Sequence, residues 1–104
     1  MKKVSFLGDS LEALRGFPEK AKHDIGYQLG RIQQGLDPID WKSMSSIGTG
    51  VKEIRVKDKS GIYRVIYIAN HKAAIYVLHS FVKKTRATPQ KDIELAKRRL
   101  GSIQ

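Results

Sequence analysis

The sequence predicts an α+β fold, in which a helical hairpin packs on one face of a small antiparallel sheet and a further helix follows the sheet. The main observation is a series of three runs rich in β-branched and aromatic residues, which lie between residues 51 and 82 and are separated by short turn sequences. Before and after this series, apolar residues recur at helical spacing. With 104 residues and no cysteine, the chain supports one domain, residues 1–104, with one modest core. The predicted element order is β-α-α-β-β-β-α.

A short strand and a first helix open the chain. Val4 and Phe6 alternate with polar residues, which is the period of a strand with one buried face. In the next segment, Asp9 can cap a helix, Glu12 lies three residues later as in a capping box, and Gly16 can end the helix. These signals predict the first arm of the hairpin.

The second arm of the hairpin and a loop come next. Pro18 suits the first turn of a helix, and apolar residues then recur at helical spacing until Gly35: Ala21, Ile25, Leu29 and Ile32. The segment LDPIDWKSMSSIGTG has no sustained period and contains Pro, Gly and Ser, which predicts a loop. We expect this loop to contact the core through Ile39, Trp41 or Met44.

The three apolar runs predict consecutive strands and a helix after them. The runs are VKEIRVKD, GIYRVIYIA and AAIYVLHSFV, and the turn sequences DKSG and NHK lie between them. Thr88 and Pro89 open a last helix that we expect to end before Gly101, and its apolar side consists of Ile93, Ala96 and Leu100. Because this helix can shield only part of the second face of the sheet, we expect an open groove there.

Period-two alternation predicts which side chains share a face in each strand. The three sets are Glu53, Arg55 and Lys57; Arg64, Ile66 and Ile68; and Ile75, Val77, His79 and Phe81. Arg64 is the most informative residue, because a cation on an apolar face is costly to bury without a partner. An ion pair with Glu53 of the neighbouring strand is a purely structural interpretation of Arg64, and it is compatible with a functional role for the arginine.

The charge of the chain is asymmetric. The formal net charge is +10, and residues 51–104 supply nine of these ten charges, since they contain thirteen Lys or Arg and four Asp or Glu. Within them, the segment HSFVKKTRATPQ has three cations and no acidic residue. This distribution favours a polyanionic partner, such as nucleic acid, an acidic protein or a membrane surface, over a basic surface that only maintains solubility.

The sequence lacks the signatures of several protein classes. It has no glycine-rich phosphate loop and no GxSxG motif, and its histidines, His23, His71 and His79, form no metal-binding pattern. We therefore expect neither a metal nor a cofactor. The N-terminus has no signal-peptide pattern and no apolar run can cross a bilayer, so we expect a cytoplasmic protein without a membrane partner.

From Trp41 to Leu100 the sequence resembles the toxins of the RelE/ParE superfamily, specifically their phage-derived HigB-like branch. The resemblance rests on a combination of motifs in family order: a basic strand, GxxRVxY in GIYRVIY, VLHxFxKKT in VLHSFVKKT, and a proline-led helix with AxxR. With the helical hairpin included by architecture, it covers nearly the whole chain.

The resemblance implies a RelE-like fold and a metal-independent endoribonuclease that cleaves translated messenger RNA on the ribosome and arrests growth. It also implies a cognate helix-turn-helix antitoxin, with operator DNA contacted only through that antitoxin. Matched residue by residue, Arg55 and Lys57 are similar to the basic strand positions of the family, and Arg64 to the arginine after the turn. The basic segment that follows the last strand in the family is matched by Lys83, Lys84 and Arg86.

RNA cleavage without a metal can use the 2′-hydroxyl group of the substrate as the nucleophile. Arginines can then bind phosphate oxygens but cannot act as bases, whereas a lysine among other cations can exchange protons. The expected phosphate ligands are Arg55, Arg64 and Arg86. The expected proton carrier is Lys57, Lys83 or Lys84, and of these Lys83 and Lys84 are also expected to contact RNA. The family commonly uses a tyrosine or aspartate near the C-terminus for proton transfer; TPQKDIEL has no tyrosine, so Asp92 or His79 has this role or it is unfilled.

Two other functions are compatible with the sequence. A ParE-like toxin shares the fold but inhibits DNA gyrase, and the cations argue against it. A non-catalytic, basic nucleic-acid-binding module requires only positive charge and a sheet face.

Overall fold

A computed structural model describes residues 1–71 and 74–104 of the chain. Eight elements follow one another in these residues: β1 (Lys3–Phe6), α1 (Ser10–Arg15), α2 (Glu19–Gln33), β2 (Trp41–Ser43), β3 (Val51–Asp58), β4 (Gly61–His71), β5 (Ala74–Lys83) and α3 (Gln90–Gly101). The predicted α+β fold is confirmed.

The strands form one sheet in the order β1-β5-β4-β3-β2. The neighbours from β2 to β5 pair antiparallel, which confirms the predicted meander, and β1 lies parallel to β5. The sequence does not predict β2, because its three residues are all exposed and show no apolar alternation. The predicted NHK turn lies only partly within the described residues: β4 extends through His71, and Lys72 lies outside them.

Two apolar cores lie on opposite faces of the sheet. The hairpin of α1 and α2 covers the first, which we name the hairpin face, and the predicted stripe is buried there: Ala21, Ile25, Leu29 and Ile32. The second face, which we name the α3 face, is covered by α3 and by residues 44–47. Its core consists of Met44, Ile47, Val51, Ile66, Leu78, Phe81, Ala96 and Leu100.

Two of the residues predicted to mark helix ends, Asp9 and Gly101, have different roles in the structure. Asp9 precedes α1 but makes no capping hydrogen bond through its side chain, because its carboxylate accepts a hydrogen bond from Nη2 of Arg99 at 2.7 Å. Gly16 ends α1 as predicted. Gly101 is the last residue of α3 rather than the residue after it, and Ser102 forms the cap.

The segment before β3 contacts the core through one of the three expected residues. Met44 is buried on the α3 face. Ile39 is 69% exposed and Trp41 is 38% exposed, so neither anchors the segment. Trp41 belongs instead to the edge strand β2, where the Nζ atom of Lys52 lies 4.4 Å from the centroid of its ring.

A β-bulge in β5 changes which side chains share a face. Ile66 pairs with His79 and Tyr67 pairs with Val77, so that Leu78 is an extra residue in β5. An extra residue reverses the phase of the alternation. The prediction that Ile75 and Val77 share a face with His79 is therefore wrong: those two lie in the hairpin core, whereas His79 lies opposite Ile66 on the α3 face.

Candidate functional site

Arg55, Arg64 and Phe81 lie side by side across three strands of the α3 face. Arg64 pairs with Arg55 of β3 on one side and with Phe81 of β5 on the other. Directly opposed side chains of antiparallel strands share a face, so the two arginines are close neighbours. Like charges in this arrangement are unfavourable unless a counter-charge is present.

Glu53 supplies that counter-charge. Its side chain is fully buried, and Oε1 lies 3.0 Å from Nε of Arg55 and 4.0 Å from Nη1 of Arg64. The predicted pairing of Arg64 with Glu53 is thus confirmed, although Arg55 is the closer partner. The second carboxylate oxygen, Oε2, accepts a hydrogen bond from the hydroxyl of Thr88 at 2.9 Å.

The segment between β5 and α3 covers the two arginines. We name residues 84–88 the strap. Arg64 donates hydrogen bonds through Nη2 to the carbonyl oxygen of Thr85 and through Nη1 to Oγ1 of Thr88, the latter at 3.2 Å. Arg55 donates through Nη2 to the carbonyl oxygen of Arg86 at 3.1 Å. The expected groove above Arg64 is therefore filled by the protein's own chain, and Arg64 is 0% exposed.

Burial of Arg64 has an electrostatic consequence. Desolvation lowers the pKa of its guanidinium group, the nearby charge of Arg55 lowers it further, and the charges of Glu53 and Asp92 act in the opposite direction. An arginine stays protonated at working pH in spite of such a shift. The α3 face thus holds a permanent cation, which Glu53 and the strap contact.

The other predicted cations remain open to solvent. Lys57 and Lys83 both pair with Ile62 across β4, so they share the α3 face; Lys57 is exposed and Lys83 is half-buried. Lys84 and Arg86 of the strap are exposed. Within the described residues, the side chains of these four cations make no hydrogen bond or ion pair.

The strand β2 adds one cation that the sequence does not assign to the site. Lys42 pairs with Glu53, so its exposed side chain lies on the same face as Arg55 and Arg64. Because residues 36–50 read as a loop, their side chains cannot be assigned to a face from the sequence. The structure extends the cationic surface by one strand.

The two residues considered for proton transfer contact each other. Nε2 of His79 lies 2.7 Å from Oδ1 of Asp92, and both side chains are buried. The ring of Phe81 stacks on the imidazole with a centroid distance of 4.7 Å and an interplanar angle of 16°. A proton on Nε2 would be donated to the carboxylate, so that Nδ1 would be the acceptor.

Within the described residues, three polar atoms of this cluster are buried without a hydrogen-bond partner. They are Nε of Arg64, Nδ1 of His79 and Oδ2 of Asp92. Together they offer one donor and two acceptors, since Nδ1 accepts when Nε2 carries the proton. Unpaired buried polar atoms lower the stability of the fold. This part of the α3 face is therefore the strongest candidate for a functional site.

Neither a metal centre nor a membrane span is visible in the part of the chain that the structure describes. No three His, Asp or Glu side chains gather there at distances suited to a metal ion. No helix in residues 1–71 or 74–104 combines the length and the apolar character that crossing a membrane requires.

Comparison with known families fits this architecture. The family described as phage-derived protein Gp49-like matches residues 12–101, which extend from α1 to the end of α3. The chain belongs to this Gp49-like family. It is a RelE toxin-like family, so the coarse part of the resemblance is confirmed. No curated protein matches the sequence.

Proposed function

We propose that this Gp49-like protein is the toxin of a type II toxin–antitoxin system, of the HigB-like branch, and that it cleaves translated messenger RNA as a ribosome-dependent, metal-independent endoribonuclease. One observation carries the proposal: Arg55 and Arg64 lie side by side under a cationic strap, in the same buried cluster as His79 and Asp92. Cations for a phosphate and a proton acceptor beside them are what metal-free RNA cleavage requires.

The exposed cations make the first contacts with RNA. Lys57, Lys83, Lys84 and Arg86 have no partner within the described residues and face solvent at the strap end of the α3 face, and Lys42 extends this surface. Phosphate binding by such residues is independent of base sequence and weakens with salt. This surface orients the RNA, and the codon is presented by the ribosome.

The strap occupies the place of the substrate. The carbonyl oxygens of Thr85 and Arg86 accept hydrogen bonds from Arg64 and Arg55, and these oxygens stand in for the phosphate oxygens of RNA. When the strap is displaced, the two guanidinium groups are free to bind the scissile phosphate. The displaced state also uncovers Nε of Arg64, which lacks a partner in the closed state.

Proton transfer is assigned to His79 and Asp92 acting together. Nδ1 of His79 accepts the proton of the 2′-hydroxyl group, whose oxygen forms a bond to phosphorus as the bond from phosphorus to the 5′-oxygen breaks. Lys57 or Lys83 supplies the proton that the 5′-oxygen takes up. The products are a 2′,3′-cyclic phosphate and a free 5′-hydroxyl end. Asp92 holds the imidazole and stabilises its protonated form.

Ribosome dependence follows from the burial of the cluster. Free RNA meets only the exposed cations, because Arg64, His79 and Asp92 are covered. The ribosome positions the codon and supplies the binding energy that displaces the strap. A helix-turn-helix antitoxin, acidic where it meets the strap, silences the toxin by covering these cations and carries the contact with operator DNA.

Primer extension on a translated message tests the proposal. We expect cuts at codon-defined positions with ribosomes and none without them. The variant Arg64→Lys should lose cleavage at least tenfold, because an ammonium group cannot bind phosphate bidentately. The matched control is Arg98→Lys, an exposed residue of the last turn of α3. Inhibition of DNA supercoiling would instead support a ParE-like toxin, and RNA gel shifts without cuts would support a non-catalytic binder.

A further inference from the structure

A cleft lies beside β5, next to α1. It has a volume of about 440 Å³ and separates α1 from residues 80–82 of β5. Ala13 of α1 and Phe17 after it form an apolar wall, and Glu12 lies at the rim. We name it the edge cleft.

Within the described residues, no strand pairs with the edge of β5 that faces the edge cleft. β1 pairs with β5 only over Ala74–Val77. Beyond this ladder, the carbonyl of Val77 accepts hydrogen bonds from Leu7 N–H and Ser10 Oγ, and the carbonyl of Leu78 accepts one from Arg99. In the described part of the chain, no hydrogen bond from β1 or α1 reaches the backbone of residues 79–83. An unpaired strand edge is a template for a further strand.

Two side chains in residues 79–83 indicate that a further segment covers this edge of β5. Ser80 is 2% exposed, yet its Oγ atom has no hydrogen-bond partner among the described residues. Val82 is 42% exposed, although it is a branched apolar residue in a strand. A neighbouring strand would bury the valine and offer backbone groups to the serine hydroxyl.

We infer that the edge cleft binds an extended segment of another protein, which adds to β5 as a strand, places an apolar side chain between Phe17 and Val82, and carries acidic residues at the end nearest Lys83. The backbone pairing follows from the free edge, and the apolar side chain from the wall of the cleft. The acidic end follows from Lys83 and Lys84, which continue the edge and are unpaired within the described residues. This inference does not depend on the nuclease activity.

A second copy of the chain is the less suitable occupant. Each copy has a formal charge of +10, so pairing two β5 edges would bring two strongly basic domains together. A segment with acidic residues replaces this repulsion by attraction.

Titration of the isotope-labelled protein with short peptides, followed by amide NMR shifts, tests the inference. The probe is the acetylated and amidated hexapeptide Glu-Glu-Val-Thr-Val-Thr, used also in reversed order because the strand direction is open. We expect saturable shifts at residues 79–83 and along α1 for one of the two orders. Methylation of alternate peptide amides should weaken binding at least tenfold, and Lys in place of Glu at least threefold.

Two variants separate the edge cleft from general charge attraction. Ala13→Met fills the cleft and should weaken binding at least tenfold, whereas Lys97→Met on the exposed side of α3 should leave it unchanged. Amide shifts outside the cleft report whether each variant is folded. A third variant, Ser80→Ala, removes only a hydroxyl group and should weaken peptide binding twofold to fivefold. Equal binding of the methylated peptide, shifts confined to the strap, or self-association through residues 79–83 would each overturn the inference.

Discussion

The two faces of the sheet bury their polar groups in different ways. In the hairpin, the amide oxygen of Gln28 accepts a hydrogen bond from the N–H of Ile39 at 2.7 Å, and the hydroxyl of Ser10 donates to a strand carbonyl. In the described residues, the α3 face instead buries four acidic or basic side chains: Glu53, Arg64, His79 and Asp92. It also holds three of the four buried side-chain atoms that have no hydrogen-bond partner in the described residues.

This difference separates a face built on apolar packing from a face with buried charged groups. Apolar residues in place of a buried ion pair are often neutral or stabilising, so stability alone does not account for Glu53 and Arg64. Unpaired buried polar atoms are typical of functional sites. Substitutions on the α3 face and at its contact with the hairpin test this difference.

The largest effect is expected from Glu53→Gln. Loss of its charge leaves Arg55 and Arg64 opposed without a counter-ion, which should lower the free energy of unfolding by about 3–5 kcal/mol. Urea denaturation measures the change. In the double variant Glu53→Gln, Arg64→Met, the fully buried cation is also removed, and we expect at least half of the stability to return while cleavage stays absent. If the single variant is as stable as the native protein, the cluster is not a charge-balanced unit.

Asp92→Asn should reduce cleavage while the α3 face stays folded. The amide keeps the shape of the carboxylate but cannot stabilise a protonated imidazole, so we expect cleavage to fall about 100-fold, or about 2.7 kcal/mol in the barrier. Single-turnover cleavage on programmed ribosomes measures the effect. The control is Glu94→Gln, a surface carboxylate two residues further along α3. Full activity of Asp92→Asn would remove the pair from the mechanism.

A smaller effect is expected where the strap meets the face. Thr88→Val removes two hydrogen bonds, one from Arg64 and one to Glu53, while Thr85→Val leaves the carbonyl of Thr85 in place for Arg64. Loss of these bonds should favour the displaced strap by about 1–2 kcal/mol. Amide hydrogen exchange in residues 84–88 should therefore be roughly tenfold faster in Thr88→Val than in Thr85→Val. Equal exchange rates would mean that Thr88 does not hold the strap.

The sequence predicts the hairpin face better than the α3 face, for physical reasons. The stripe through Ile25 and Leu29 repeats over four turns of one helix, so its burial follows from local spacing. The pairing of His79 with Asp92 joins residues thirteen positions apart. It also requires a bulge at Leu78, which no residue type in the sequence predicts.

Other parts of the site escape prediction because their signals are short or arise from tertiary contacts. β2 has three exposed residues, so Lys42 shows no periodicity that would assign it to a face. The Thr–Pro sequence before α3 indicates a helix start, but it does not indicate that Thr88 donates to Glu53, thirty-five positions away. The cations are visible in the sequence, whereas their division into buried and exposed sets is visible only in the fold.

The smallest predicted effect concerns the ion pair that joins the two faces across the edge of β5. Arg99 of α3 donates to the carbonyl of Leu78 at 2.9 Å and to Oδ1 of Asp9, before α1, at 2.7 Å. The hydrogen bond and charge of Arg99 lower the pKa of Asp9 from its ordinary value of 3.8. A lowered pKa in the folded state means that the pair stabilises the protein above pH 3.8 and that this contribution is lost as the pH falls through the folded pKa.

Asp9→Asn should therefore cost less than about 1 kcal/mol at pH 7, because the Asp9 side chain is 66% exposed and its pairing is screened by solvent. The difference in unfolding free energy between Asp9→Asn and the native protein should shrink towards zero between about pH 5 and pH 2, whereas other carboxylates titrate equally in both proteins and cancel. Urea denaturation across this range measures it. A difference that is the same at both ends would show that Asp9 acts through the shape of the turn before α1, and that its charge does not connect the hairpin to the α3 face.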